Sequence, residues 1–325
     1  MRFRCPTCHH EISAEPLNAP SACDACSTQL TADDGMLDFV AAAHAHSSEG
    51  ERAYYDQYYS DQPGWARLDL DLSSLGARWH GPQAPPERRA AWRRLGELQD
   101  KTVLLLGNGD SYPELYLLTA RPAVLIYSDL SPAGLRSIRD GFDVDGYQER
   151  LLFAAIDACD LPFFDGSVDV IWAFAVAHHM PDLDRFLGEA ARVLRPGGRC
   201  VLMDNAYSPL WQRLKLGALR PLMRLSHRRE PRSPEDMRDT LAGGFREEDL
   251  ARRITAVGGR PWFERQALFS YMWHRASVAL FPDELRFLSR HRSIDSVLVA
   301  VDTHLARFKP VRRNLVRLIW GFDKP

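Results

Sequence analysis

The sequence predicts an α/β chain whose main body is a seven-stranded, mostly parallel, doubly wound sheet, preceded by a small cysteine-bearing module and interrupted by helical lid insertions. Three observations lead there. Short β-branched or leucine-rich runs alternate with amphipathic stretches through the middle of the chain; four of six cysteines stand in two C-x2-C pairs at the front; and a basic, leucine-rich segment follows the fifth strand.

The front module comes first. CPTC and CDAC are separated by fourteen residues, and each pair can present two thiolates to one side of a tetrahedron. The opening residues, MRFRCPTCHH, lack the apolar core of a secretion signal, so the knuckles read as metal ligands rather than disulfides. Residues 1–40 are therefore expected to form a zinc ribbon in which Cys5, Cys8, Cys23 and Cys26 hold one structural Zn2+; redox or unpaired thiols are the alternative. His9 and His10 are surplus to that set. Cys159 and Cys200, in strand-like surroundings, are expected to be buried small hydrophobes.

With 325 residues, 45% hydrophobic, 26% charged and a net charge of -2, the chain is long enough for one large domain plus the ribbon, and exerts no global pull on polyanions. No apolar run approaches the ~20 residues that span a bilayer. A cytoplasmic protein is the expectation, and the oligomeric state is not legible.

Residues 41–100 read as a linker and N-terminal helical cover. AAAHAHSSEGE is small and polar, Tyr54 to Tyr59 (YYDQYY) is aromatic enough to need a packing partner, and RRAAWRRLGEL is helix-like. Strands are expected at 103–106, 123–128, 151–156, 168–175 and 199–204, with a sixth in PWFERQALF and a seventh in NLVRLIWGF. The unit from 101 to 325 carries lid insertions at 205–245 and 275–310.

The first strand breaks into LLLGNGDS. A dinucleotide fingerprint would need glycine at Tyr112, which argues against hydride transfer. Ser111, Pro113 and Glu114 instead form an S-x-x-E capping box with proline in the first helical turn. Asp129 ends the second strand, where a carboxylate can accept both hydroxyls of a ribose. Asp157 ends the third.

Together with DLSPAGL and DACDLPFFDGSVDVIWAFAVAHHMPDLDRFLGEAARVLRPGG, this series resembles the Rossmann-like S-adenosylmethionine-dependent methyltransferases, in the branch of the ubiquinone and menaquinone biosynthesis enzymes, over residues 101–204. The resemblance implies that the Gly107, Asn108, Gly109 backbone approaches the methionine and ribose, and that Asp129 holds the ribose. It implies that Asp157 accepts from the adenine amino group while the Ala158 amide meets the ring, with Leu130 and Phe174 completing the cofactor-binding set. Two positions depart from the family's acid-x-G-x-G-x-G: Leu105 stands at the acid and Ser111 at the last glycine. His178 and His179 follow the fourth strand, where the acceptor would sit; a histidine there can remove a proton, and packing is the alternative. The ribbon, with DGMLDF after it, resembles the small zinc-binding activator subunit of several methyltransferases.

After the fifth strand, residues 205–232 contain seven Lys or Arg and one acid, interleaved with Trp211, Leu214, Leu219 and Leu222. Ser208 and Pro209 can start a helix there. The whole implies methyl transfer from S-adenosylmethionine to O, N or C of a small or lipid-linked metabolite, with peripheral membrane contact through this segment. RNA methylation is the second reading, disfavoured because residues 1–40 hold two arginines against six acids. A non-catalytic scaffold with a degenerate cofactor fold is the third.

Overall fold

In a computed structural model, residues 2–13, 22–31, 36–42, 49–61, 72, 86–109, 112–141, 147, 149–214, 217, 244–273 and 292–325 are described. The front carries β1 (Arg2–Arg4) and β2 (Glu11–Ser13), an antiparallel pair. Then come β3 (Leu37–Asp38), α1 (Phe39–Ala42), α2 (Glu49–Ser60) and α3 (Pro86–Leu95). The main body continues as β4 (Thr102–Leu106), β5 (Val124–Asp129), α4 (Pro132–Gly141), β6 (Leu151–Ala155), β7 (Val168–Phe174), α5 (Leu183–Val193) and β8 (Leu194–Asn205). It closes with α6 (Pro209–Leu214), α7 (Glu247–Ala256), β9 (Arg260–Gln266), α8 (Arg292–Leu305), α9 (Lys309–Arg312) and β10 (Arg317–Asp323).

The strands order β3-β6-β5-β4-β7-β8-β10-β9, and only β10 runs antiparallel to both of its neighbours. All seven expected strands are present, but the sheet has eight. The addition is Leu37–Asp38, expected to close the ribbon, which pairs in parallel with Ala154 and Ala155 of β6. Leu37 is buried, Asp38 takes both Nη atoms of Arg52 at 2.9 and 2.6 Å, and the strand also pairs back to the front module, through a Thr31–Leu37 bridge and the Asp38 N–H, which donates to the Leu30 carbonyl at 2.8 Å. The front segment also shares the main core: Phe3, Ile12 and Leu30 belong to the same apolar cluster as Leu104, Ile126 and Phe163.

The β4 run TVLLL is apolar throughout because both faces are covered. Leu104 and Leu106 enter one core layer with Phe186, Leu187 and Ala190 of α5, whereas Val103 and Leu105 enter the other with Ala90 and Leu95 of α3 and Leu135 of α4. That alternation is the doubly wound arrangement. The chain steps outward from β4 through β5 to β6 and then returns to β7 on the other side of β4. The reversal opens a crevice at the strands' C-terminal ends.

Two local expectations change. Tyr112–Ala120 is a 3-10 helix, not an α-helix, with Leu115, Leu117 and Leu118 all buried, so its tighter winding still wraps the core. Glu114, expected to turn back toward Ser111, is buried and accepts from Arg88 of α3 at 2.8 Å; Ser111 lies outside the described residues. Ser208 does begin α6: its Oγ accepts from the Trp211 N–H at 3.2 Å and donates to the Asn314 carbonyl at 2.8 Å. Trp211 is buried against Tyr271, Leu268 and Leu315, so this face of α6 packs on the domain. Leu219, Leu222, most of the 205–245 insertion and residues 275–291 of the second lie outside the described residues. No helix among the described residues is long and apolar enough to cross a membrane.

Candidate functional site

A cavity of about 290 Å³ occupies the crevice. Its floor is the set of strand ends: Leu106 and Gly107 at the end of β4, Asp129 and Leu130 at the end of β5, and Ile156, Asp157, Ala158 and Cys159 after β6. Ala175, Val176, His178 and His179 after β7 form one wall, continued by Met180 and Pro181. The roof is α2, which presents Glu51, Tyr55 and Tyr59, four residues apart and thus on one helical face.

The roof is tied down. Arg52 bonds Asp38, Asp56 accepts from Ser131 Oγ at 2.6 Å, and Tyr59 packs on the glycine loop. Tyr55 and Tyr59 stack at 6.1 Å, and Tyr55 meets the His179 ring edge-on at 6.3 Å. The expectation that the Tyr54 to Tyr59 run needs a packing partner is met here.

Both glycines of the loop have left-handed φ, +64° at Gly107 and +50° at Gly109, which glycine adopts without a Cβ penalty. A Cβ at Gly107 would stand 2.4 Å from Val176 Cγ1. Their smallness therefore serves close packing of the wall and roof as well as any ligand.

Asp129 is 7% exposed, and its two oxygens accept the Gly109 N–H at 2.7 Å and the Ser131 N–H at 2.8 Å. Burial pushes its carboxyl up to about 6 against those two N–H donors, and the nearby Asp56 charge adds to the rise. Asp157 accepts from the Cys159 N–H at 2.8 Å. Each bonded oxygen keeps a second lone pair for a ligand hydroxyl or amine.

Of the expected cofactor set, Gly107, Asp129, Leu130, Asp157 and Ala158 line the cavity with both histidines, whereas Asn108, Gly109 and Phe174 do not. Tyr59 covers Gly109, whose N–H is already given to Asp129. Phe174 lies beneath the Arg88 guanidinium at 4.1 Å and stacks on Trp172 at 6.0 Å. Asn108 is buried beside the loop, and its Nδ2 makes no hydrogen bond among the described residues. Leu105 sits in the core layer on the far side of β4, so no acid faces the cavity from that position.

The histidines differ. His178 Nδ1 stands 2.7 Å from Asp204 Oδ1 at the end of β8, a carboxylate with no exposed side-chain surface, while the ring lines the cavity. His179 packs against His178 at 4.0 Å and against Tyr55. Ala175, the turn residue before them, holds a left-handed φ of 60° and donates its N–H to Met203 of β8 at 2.7 Å. Sequence reading missed Glu51 and Asp204. The signal for the first was helical spacing with the tyrosines; the second needed the β7–β8 pairing.

At the front, the Cys5, Cys8, Cys23 and Cys26 sulfurs all lie within 4.8 Å of one another. The two knuckles repeat one geometry. Cys5 accepts from the His9 N–H at 3.0 Å and donates its N–H to His10, while Cys23 accepts from the Ser27 N–H at 2.8 Å and donates to Thr28. His9 and Ser27 both take left-handed φ, 61° and 58°, after the second cysteine of each pair. The Thr28 hydroxyl, helped by its backbone N–H, brings Cys26 down to about 6. Cys8 is pushed up to about 12 despite the His10 N–H, by desolvation and its neighbouring sulfurs. Four thiolates at this separation suit a divalent ion. Cys159 and Cys200 are buried, as expected, and burial pushes the Cys159 thiol up to about 12.

The methyltransferase-domain family matches residues 104–202. The 27-O-demethylrifamycin SV methyltransferase of Amycolatopsis mediterranei is 36% identical over 107 residues, which are 33% of this chain and 39% of that protein. A ubiquinone/menaquinone biosynthesis C-methyltransferase of Acidiphilium cryptum is 28% identical over 184 residues, 57% and 61% of the two chains. The chain thus spans less than two thirds of these curated relatives. Geranyl diphosphate C-methyltransferase from Streptomyces coelicolor superposes with a TM-score of 0.52 at 14% identity, covering 87% of this chain and all of that one. The [4+2]-cyclase SpnF superposes with the same TM-score at 17% identity, covering 86% and 97%. These share the Rossmann-like methyltransferase fold. Because one of them is a cyclase, the reaction has to be argued from the site.

Proposed function

We propose that the chain is an S-adenosylmethionine-dependent methyltransferase acting on a small or lipid-linked metabolite, at an oxygen or carbon that gives up a proton. The observation that carries this reading is the convergence of Gly107, Asp129 and Asp157, from three adjacent strands, on one roofed cavity whose opposite wall holds His178. Adenosine needs a diol acceptor and an amine acceptor at separate places in a cleft, and Asp129 and Asp157 offer them.

S-adenosylmethionine, when bound, supplies a methyl group on a positively charged sulfur. Asp129 holds the ribose hydroxyls, and Asp157 with the Ala158 N–H holds the adenine edge. The α2 tyrosines exclude water from above. His178, its Nδ1 edge held by Asp204, turns its Nε2 edge to the cavity and takes the acceptor's proton as the new bond to carbon forms. The bound cofactor would supply the methyl group and keep the bonding electron pair on its sulfur, and His178 would pass the acceptor's proton to solvent; Asp129, Asp157 and the α2 tyrosines would contribute to the rate by holding the reactants in place.

In the same reading, Cys5, Cys8, Cys23 and Cys26 hold one structural Zn2+ that fastens the ribbon, while residues 41–100 cover the cofactor. Calorimetry with S-adenosylmethionine and its demethylated product tests the cofactor assignment: wild type binds both, and Asp129→Ala weakens binding at least fivefold, about 1 kcal/mol. Failure of wild type to bind either ligand removes the reading, and equal affinity of variant and wild type removes Asp129 from it. Salt-dependent, sub-micromolar RNA binding would transfer the case to RNA methylation.

A further inference from the structure

His178 is not held by Asp204 alone. Asp204 Oδ1 meets His178 Nδ1 at 2.7 Å, and its other oxygen, Oδ2, accepts the indole N–H of Trp320 at 3.1 Å. Trp320 lies on β10, is fully buried, and packs on Phe245 at 5.5 Å. Three strands' worth of structure therefore converge on one carboxylate: the β7 wall, the end of β8 and the middle of β10.

We propose that Trp320 is a positioning residue for methyl transfer, fixing the Asp204 carboxylate so that His178 is held as the Nδ1–H tautomer with Nε2 as the acceptor facing the cavity. The inference rests on the methyl-transfer reading above. An indole N–H can only donate, so Oδ2 is an acceptor in this contact. A fully buried carboxylate is costly unless its oxygens are satisfied. With Oδ2 occupied by Trp320, Oδ1 is left for His178, and an acceptor on that side requires the proton on Nδ1. Pinning one oxygen also removes the carboxylate's freedom to turn, which otherwise lets the ring swing.

Satisfying a buried indole does not by itself require this contact. Trp172, buried in the same sheet, has an Nε1 without a hydrogen-bond partner among the described residues. The sheet tolerates a lone indole, yet here it directs one at the carboxylate behind the cavity histidine. Among the described residues, the charged and titratable groups around His178 are Asp204 and His179, with Glu51, Tyr55 and Tyr59 on the roof of the cavity and Asp129, Asp157 and Cys159 on its floor.

The test needs no acceptor. In the full chain with 15N-labelled histidine, the Nδ1 and Nε2 shifts of His178, assigned with His178→Gln, report its tautomer at a pH where the ring is neutral. Wild type is expected to be mainly Nδ1–H. Trp320→Phe, which keeps an aromatic ring but removes the donor, is expected to lower the Nδ1–H to Nε2–H ratio at least threefold, while calorimetric cofactor affinity stays within twofold. Asp204→Asn is the control and is expected to invert the tautomer. A folded Trp320→Phe protein with the wild-type ratio, alongside an inverted Asp204→Asn, overturns the role of Trp320 and leaves the His178–Asp204 pair standing.

A second readout covers a Trp320→Phe protein that fails to fold. In wild type the Trp320 indole N–H resonance is expected to shift with the same midpoint as the His178 ring, because both bond one carboxylate. An indole resonance that ignores that titration overturns the proposal. Loss of cofactor binding in wild type would instead count against the methyl-transfer reading, which these resonances do not measure.

Discussion

Tyr59 of the roof helix lies so close to Gly109 that a Cβ there would stand 1.9 Å from the tyrosine hydroxyl oxygen. The glycine of the loop and the helix above it are thus fitted to each other, and this contact shapes one end of the cavity. Gly109→Ala combines that clash with a left-handed φ of +50°. It is expected to cost about 2–4 kcal/mol of stability, read as a lower midpoint in denaturant unfolding. Adding Tyr59→Ala should recover part of the loss, and a double-mutant cycle showing no coupling would refute the contact.

With Asp129 as the proposed ribose acceptor, cofactor affinity is expected to depend on pH. Its carboxyl sits at about 6, raised by burial from an ordinary 3.8, and the ionised form is the one that accepts two hydroxyls. Affinity for S-adenosylmethionine is expected to fall as pH drops through about 6. Stability of the ligand-free chain moves the other way. A folded value above the unfolded one is stabilising in acid, fully so below 3.8, and that contribution is lost as pH rises through about 6. At ~1.4 kcal/mol per pH unit of displacement, it amounts to roughly 3 kcal/mol. Asp129→Asn should flatten both profiles; calorimetry and denaturant titrations between pH 4 and 8 check them.

Ala175 is held at φ 60° where β7 turns into the histidine wall. Ala175→Gly should relieve a left-handed strain of ~1–2 kcal/mol while adding chain entropy to the unfolded state, for a net gain of about 0.5–1 kcal/mol. Thermal unfolding measures it, and a lowered midpoint contradicts the strain.

The ribbon is expected to carry one zinc ion per chain. Cys23→Ser should lose most of it by elemental analysis, and chelation should expose the apolar side of the ribbon, where Phe3 packs on Phe163 at 5.5 Å. Proteolysis of the chelated protein is then expected to cut within residues 1–36 before it cuts the sheet. A metal-free preparation with unchanged protease resistance contradicts the assignment.

Much of this architecture was legible in residues that are near one another in the chain. The inner strands β4, β5, β6 and β7 show as apolar runs because they are covered on both faces, the C-x2-C knuckles close within five residues, Asp129 ends its strand and Asp157 follows its own by two residues. Such features depend on local spacing and backbone preference, which a sequence displays. The α5 helix, with Asp182 accepting from the Arg185 N–H at 2.9 Å, belongs to the same group.

Tertiary structure alone decided the rest. Leu37–Asp38 joins the front module to the sheet, pairing with Leu30 and Thr31 on one side and with the open edge of β6 on the other, where Arg52 meets Asp38. Glu114 went to Arg88, and the Tyr54 to Tyr59 run became a roof because residues 51, 55 and 59 share a helical face that needed a floor. Above all, the carboxylate behind His178 comes from a position 26 residues away and its indole partner from 116 residues further along. Sequence determines which side chains exist and which face of an element they occupy. Which of them meet is set by strand order and register, where one residue of slip would turn Asp204 and Trp320 to the other face of the sheet.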